Sequence, residues 1–219
     1  MKITETVLTL EKNLQGRDFV VGDLHGHASL LQRRLAELDF DASVDRVICV
    51  GDLIDRGPES AASLALLDEP WFYSVLGNHE LLMYSGFKEE NNKHRMMWLQ
   101  HGGEWIANTD PNQWPDWFDK IAKLPLAIEV TGSDDKTYGI IHADFPRLDW
   151  SEITQLDEGE LKQCIWGRDH FKSRSKHHVA GIDYLIHGHN VCEKELLLGN
   201  RYYIEAGAYL GNELIVKQL

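Results

Sequence analysis

The sequence predicts an α/β fold in which two β-sheets pack as a sandwich flanked by helices, formed by a single domain over residues 1–219. Three observations predict it. An apolar run, a polar loop and an amphipathic helix follow one another three times in the N-terminal half. The C-terminal half instead carries short strand-like segments separated by turns. The apolar fraction of 43%, with seven Trp, is that of a globular chain with a sizeable core.

The first unit runs from Phe19-Val20-Val21 through Gly22-Asp23 into a helix with Leu31, Leu35 and Leu38 on one face. The second runs from Arg46–Val50 through GDLIDRGP, with Pro58 in the first turn of a helix reaching Leu64, Leu66 and Leu67. In the third, Trp71–Leu76 is a strand, Gly77-Asn78-His79-Glu80 its loop, and Leu81-Leu82-Met83-Tyr84 the next helix. Such alternation implies parallel strands joined by right-handed crossovers, which puts all three polar loops at the carboxyl ends of the strands. The Trp-rich stretch from His94 to Leu124 reads as helical with a break at Gly102-Gly103. Strands are expected at Leu126–Val130, Thr137–Ile141, Tyr184–Ile186, Tyr202–Ile204 and Glu213–Lys217.

Composition excludes several classes. A net charge of −13 disfavours nucleic acid and anionic lipid as partners. No stretch approaches the ~20 apolar residues of a membrane span, and the N-terminal segment lacks the apolar core of a signal peptide. Cys49, Cys164 and Cys192 are far apart and odd in number, so they form neither a disulfide framework nor a zinc knuckle. A cytoplasmic protein is expected.

The loops after the strands hold Asp23 and His25; Asp52, Asp55 and Arg56; Asn78 and His79; with His142 and His189 at the ends of two later strands. Carboxylate, imidazole and amide oxygen together form a donor set suited to Mn, Fe or Zn better than to Ca or Mg. Asp52, in the central loop, is the natural bridge between two ions. A lone Gly-Asp after a strand is usually only a turn. Convergence of ligand-type residues at successive strand ends is what favours metal.

GDLHG at 22–26, GDLIDRG at 51–57 and GNHE at 77–80 resemble the three signatures of the metallophosphoesterases, and within them the phosphoprotein phosphatase branch. HADFP at 142–146, IWGR at 165–168, GH at 188–189 and IEAGA at 204–208 extend the resemblance toward serine/threonine protein phosphatases of the bacterial and bacteriophage-lambda type. The resemblance implies a calcineurin-like fold and two divalent ions, Mn2+ foremost, with Fe, Zn or Ni as alternatives. It implies that Asp23 and His25 hold the first ion, that Asp52 bridges, and that Asn78, His142 and His189 hold the second. It also implies His79, paired with Asp55, as the general acid.

Two such ions would share a water, lower its pKa, and direct the resulting hydroxide at phosphorus. Arg56 and Arg168 are expected to clamp the phosphate, with Asn78 beside them. The expected substrates are phosphorylated proteins, phosphotyrosine being a further candidate after phosphoserine and phosphothreonine. No dedicated regulatory subunit is implied. An enzyme alternative is a symmetrical diadenosine tetraphosphate hydrolase, against which Asp55 and the short chain argue. A metal-binding scaffold without chemistry is the non-enzymatic alternative, opposed by the full set of ligands, His79, Asp55 and both arginines.

Other residues invite blander readings. Alternation along a strand would point His187 and His189 to the same side, and position after Gly188 favours His189. His27, His94, His101, His170, His177 and His178 read as ordinary loop or solvated histidines. His177-His178 amid Lys172, Arg174 and Lys176 read as a solvated basic loop, with steering of a phosphorylated substrate as the functional alternative, Cys49 as a core strand residue, and Trp98, Trp105, Trp114 and Trp117 as core and cap. Where the resembled family usually reads G-H-T-P and I-D-T-G-A, this chain has Gly188-His189-Asn190-Val191 and Ile204-Glu205-Ala206-Gly207-Ala208. The ligands survive there, so differences in metal preference or substrate range are expected to arise around His189.

Overall fold

The computed structural model describes residue 3 and residues 5–219. In chain order the elements are β1 (Val7–Leu10), β2 (Asp18–Val21), α1 (Ala28–Glu37), β3 (Arg46–Cys49), α2 (Ser60–Ala65), β4 (Phe72–Ser74), α3 (Asn78–Phe87) and α4 (Asn92–Gln100). They continue with α5 (Trp114–Ile121), β5 (Ala127–Thr131), β6 (Thr137–Ile141), α6 (Glu158–Trp166), α7 (Asp169–Lys172), β7 (Tyr184–His187), β8 (Leu196–Leu198), β9 (Arg201–Tyr203) and β10 (Val216–Gln218). Short 3-10 turns link several of them. No helix among the described residues is long and apolar enough to cross a membrane.

One sheet has the order β10-β2-β3-β4 and the other β1-β5-β6-β7-β9-β8. Strands β2, β3 and β4 are parallel, with Val21 beside Cys49 and Cys49 beside Ser74, so the three polar loops leave the same sheet edge. In the second sheet β6 and β7 are parallel, with Ile141 beside His187, which brings the His142 and Gly188-His189 segments together at that edge. Gly188 N–H closes the pair by donating to His142 O at 2.9 Å.

Side-chain alternation decides which core each residue joins. Val20, Ile48 and Val75 point between the sheets against Ile128, Ile140 and Ile186. Phe19, Val21, Val47 and Cys49 point the other way, onto Leu31 and Leu35 of α1 and Leu64 of α2. Both faces of the parallel strands are therefore buried, which is why they read as unbroken apolar runs. Ile48, Ile140 and Ile186 are each 0% exposed, and each such side chain contributes roughly 1.5–3 kcal/mol by leaving water.

Several boundaries differ from the sequence expectation. Helix α2 begins at Ser60, so Pro58 lies in the turn before it rather than in its first turn. Asn78, His79 and Glu80 form the first turn of α3, not a loop. Strands β1 and β8 and helices α6 and α7 are additions to the expected elements, being short and flanked by irregular chain. The terminal strands also trade sheets: β1 pairs with β5, and β10 pairs antiparallel with β2. Strand partners this distant leave no mark in local periodicity.

Candidate metal centre

The first two loops are laced together by backbone bonds from His25 N to Asp52 O and from Gly26 N to Leu53 O, both 2.8 Å. His25, Asp52, Asp55, Arg56 and His189 all adopt left-handed backbone, with φ of 41°, 48°, 75°, 70° and 60°. Each such conformation costs a side-chain-bearing residue roughly 1–2 kcal/mol, and strain of this kind concentrates at functional sites. Gly51, at φ +99°, needs its missing side chain: a Cβ there would meet His142 Nδ1 at 2.9 Å. Gly57 packs still closer, a Cβ meeting His25 O at 2.2 Å.

Glu80 holds the second loop to the start of α3. Its buried carboxylate accepts the N–H groups of Asp52 (3.0 Å), Leu53 (2.8 Å), Ile54 (3.3 Å) and Gly77 (3.1 Å). Burial and the neighbouring Asp52 push its pKa up to about 7. A buried N–H without an acceptor costs about 1–3 kcal/mol. Glu80→Ala, stranding all of them, should lose roughly 3–5 kcal/mol, or about 10 °C in Tm for a chain of this size. A thermal melt indistinguishable from that of the unmodified chain would exclude this role for Glu80.

The imidazoles are oriented by carbonyls. His25 Nδ1 pairs with Ile54 O at 3.0 Å and His142 Nδ1 with Val50 O at 2.8 Å, which favours a proton on each Nδ1 and turns each Nε2 toward the Asp52 side of the site. Asp52 Oδ2 lies 3.7 Å from His25 Nε2, 3.4 Å from His142 Nε2 and 3.9 Å from His79 Nε2. These separations are long for hydrogen bonds and suit donors that share a cation. Asn78 Oδ1 stands 3.1 Å from His142 Nε2. Two groups, His25-Asp52-His79 and Asp52-His142-His189, each keep one donor atom per residue within 4.8 Å of the others.

Asp23 sits beside them, its carboxylate accepting His189 N–H at 3.0 and 3.2 Å and lying 3.9 Å from His25 Nε2. His189 Nε2 is buried without a hydrogen-bond partner, as a donor atom awaiting a cation would be. Burial pushes His25 down to about 3 and His189 down to about 2, so both rings are neutral and able to coordinate. Asp23 is pushed well up by burial, then by Glu205 and Asp52. Such crowding of buried carboxylates is what divalent cations relieve. The residues present fit two metal ions.

Next to this set, His79 Nδ1 is 2.6 Å from Asp55 Oδ2, and Trp105 Nε1 donates to Asp55 Oδ1 at 2.7 Å. Burial alone would lower His79, but Asp52 and Asp55 outweigh it and raise its pKa. Arg56 donates from Nη1 to His25 Nε2 at 2.9 Å and from Nη2 to His79 Nε2 at 3.1 Å, with its Cζ 4.2 Å from the centre of the Tyr209 ring. Arg168 stands across the cleft, donating from Nη1 to Asn190 Oδ1 at 3.1 Å and to His189 O at 3.4 Å.

The site residues expected from the sequence thus converge. Asp23, His25, Asp52, Arg56, Asn78, His79, Arg168 and His189 line one cleft of about 410 Å3, while Asp55 and His142 pack behind it. Trp166, Phe171, Val191 and Tyr209 form its walls. His187 is excluded: its fully buried ring stacks on Tyr203 at 5.0 Å, because the left-handed turn at His189 ends the alternation that would have aimed both rings alike. Several contributors escape a reading of the sequence. Glu80 and Glu205 lie inside the recognised motifs, and their charge next to the ligands is the available signal. Trp105, read as core and cap, is the hydrogen-bond donor to Asp55, and His101, read as an ordinary loop residue, also lines the cleft. Tyr209 carries no signal, since only the fold lays it over Arg56.

Compared with known proteins, residues 19–193 match the calcineurin-like phosphoesterase family. Serine/threonine-protein phosphatase 2 of Escherichia coli (strain K12) is 37% identical over 196 residues, covering 87% of this chain and 87% of that protein. A symmetrical bis(5'-nucleosyl)-tetraphosphatase of Shewanella loihica (strain ATCC BAA-1088 / PV-4) is 30% identical over 160 residues, covering 70% of this chain and 53% of that one. Among solved structures, a protein serine/threonine phosphatase from Saccharomyces cerevisiae superposes with a TM-score of 0.68 over 98% of this chain and 84% of its own, at 14% identity, a likeness of fold alone. With the family match spanning most of the chain and the donor groups gathered at the sheet edge, the chain belongs to the calcineurin-like phosphoesterases.

Proposed function

We propose that the chain is a metal-dependent serine/threonine protein phosphatase. The observation that carries this reading is the His79–Asp55 pair standing directly beside the Asp52-centred donor groups at the foot of an open cleft. In this reading Asp23 and His25 would hold one divalent ion, Asp52 would be shared, and Asn78, His142 and His189 would hold the other. The mixed oxygen and nitrogen donors suit Mn2+, with Fe, Zn or Ni able to replace it. When bound, the ion pair supplies Lewis acidity and a water whose pKa is brought toward neutrality.

The residues of the chain do the rest. Arg56 and Arg168 approach the phosphate from opposite sides and match its oxygens in bidentate fashion. His79 holds the proton for the departing seryl or threonyl oxygen, and Asp55 fixes the ring and favours its charged form. A doubly protonated ring has no lone pair for Arg56 Nη2, which leaves that N–H free for a substrate oxygen. The three free thiols suit a reducing cytoplasm.

Chelator-treated protein should be inactive, and Mn2+ should restore turnover of a phosphoserine peptide above that of diadenosine tetraphosphate when both are assayed side by side. Preference for the dinucleotide would replace this reading with that of a symmetrical tetraphosphatase.

A further inference from the structure

Beyond His142 the chain continues through Ala143 to Asp144, a carboxylate 2% exposed that takes no part in the donor groups. Its Oδ1 accepts His170 Nδ1–H at 2.8 Å and Phe145 N–H at 2.9 Å, and its Oδ2 accepts the backbone N–H of His170 at 3.2 Å. Arg201 Nη1, on a fully buried side chain, lies 3.6 Å from Oδ1 and supplies a balancing charge.

His170 lies on α7, the short helix that Arg168 immediately precedes. The two bonds from His170 to Asp144 therefore pin the first turn of α7 to the same strand end that carries His142. Gly167 makes the approach possible, since a Cβ there would stand 2.7 Å from Asp144 Cβ. Arg168 itself is exposed, and among the described residues its side chain is tethered only near its tip, by Asn190 and the His189 carbonyl. A long arginine carries about 2 kcal/mol of rotamer entropy, and a displacement of about 1 Å in a positioning group can cost roughly 100-fold in rate. The Asp144–His170 tie thus anchors the root of Arg168 to the sheet edge, beside the local bonds from Lys172 N–H to Arg168 O at 2.8 Å and from Gly167 N–H to Gln163 O at 2.7 Å.

We propose that His170, locked by the buried Asp144 carboxylate, is a positioning residue that holds Arg168 in place for the substrate phosphate. The proposal rests on reading the cleft as a phosphomonoesterase site. His170 is not in the cleft lining and acts only through Arg168.

Single and double variants in the metal-loaded full chain test it. His170→Ala should lower kcat/KM on a phosphoserine peptide roughly tenfold and weaken inhibition by inorganic phosphate by a similar factor, with metal content unchanged. His170→Asn places an amide N–H where Nδ1–H stood and should restore most of both. In an Arg168→Ala background His170→Ala should add no further loss, because the group it positions is gone. His170→Leu, of similar bulk but without a donor, replaces the alanine variant should that fail to fold. Undiminished activity in His170→Ala, or an equal additional loss in the Arg168→Ala background, overturns the proposal. If the unmodified chain itself does not turn over the phosphopeptide, the functional reading falls instead.

Discussion

Asp52→Asn is expected to lower kcat/KM by roughly 10³ to 10⁵, since it removes several kcal/mol of transition-state stabilisation at about 1.4 kcal/mol per decade. The substitution keeps the shape of the side chain and the acceptor that Oδ1 offers to His79 N–H at 3.0 Å. What it removes is charge at Oδ2, which lies 3.4–3.9 Å from the Nε2 atoms of His25, His79 and His142. An amide oxygen is a weak bridge between two cations, and its NH2 repels them. Elemental analysis of the purified variant should therefore show fewer ions per chain than the unmodified protein, while far-ultraviolet circular dichroism stays the same. Full metal occupancy with undiminished turnover would remove Asp52 from the centre and with it the mechanism.

His79→Asn should separate substrates by leaving group. Asn can keep the bond to Asp55 that Nδ1 makes at 2.6 Å, so the site is expected to hold its shape. It has no proton to give. General acids contribute about 10² to 10⁴ in rate where the departing oxygen is a poor leaving group. A phosphoserine peptide should lose that much, whereas p-nitrophenyl phosphate, whose phenolate departs unaided, should lose far less. Equal losses on the two substrates would assign His79 to metal binding, a role its place in the His25-Asp52-His79 group makes a concrete alternative.

Much of this site is legible in the sequence because its parts are local. Asp23 and His25, or Asp52, Asp55 and Arg56, lie within a few residues of one another at the end of an apolar strand. A parallel sheet delivers every such strand end to one edge. His142 and His189 are legible for the same reason, each following an apolar strand.

The supporting groups reach the site from far along the chain. Glu205 accepts Asp23 N–H across 182 residues, and Trp105 reaches Asp55 across 50. Nothing in the neighbourhood of Trp105 distinguishes a tryptophan that donates to a carboxylate from one that only fills a core. His170 resembles any solvated histidine along the chain, and only the placement of α7 carries it to Asp144. The exchange of β1 and β10 between sheets is equally hidden.

By itself, then, the sequence determined the alternation of strands, loops and helices and placed ligand-type side chains at the strand ends, and its motifs carried the resemblance to the family. Hydrophobic period and the chemistry of neighbouring side chains are properties of short segments. Only the tertiary structure decided that His187 turns away, that Glu80 gathers the strained loops, that Tyr209 covers Arg56 and that Arg168 is rooted through His170. Contacts between distant segments are selected by the packing of the whole chain, where each pairing must bury its apolar face and satisfy its polar groups at once.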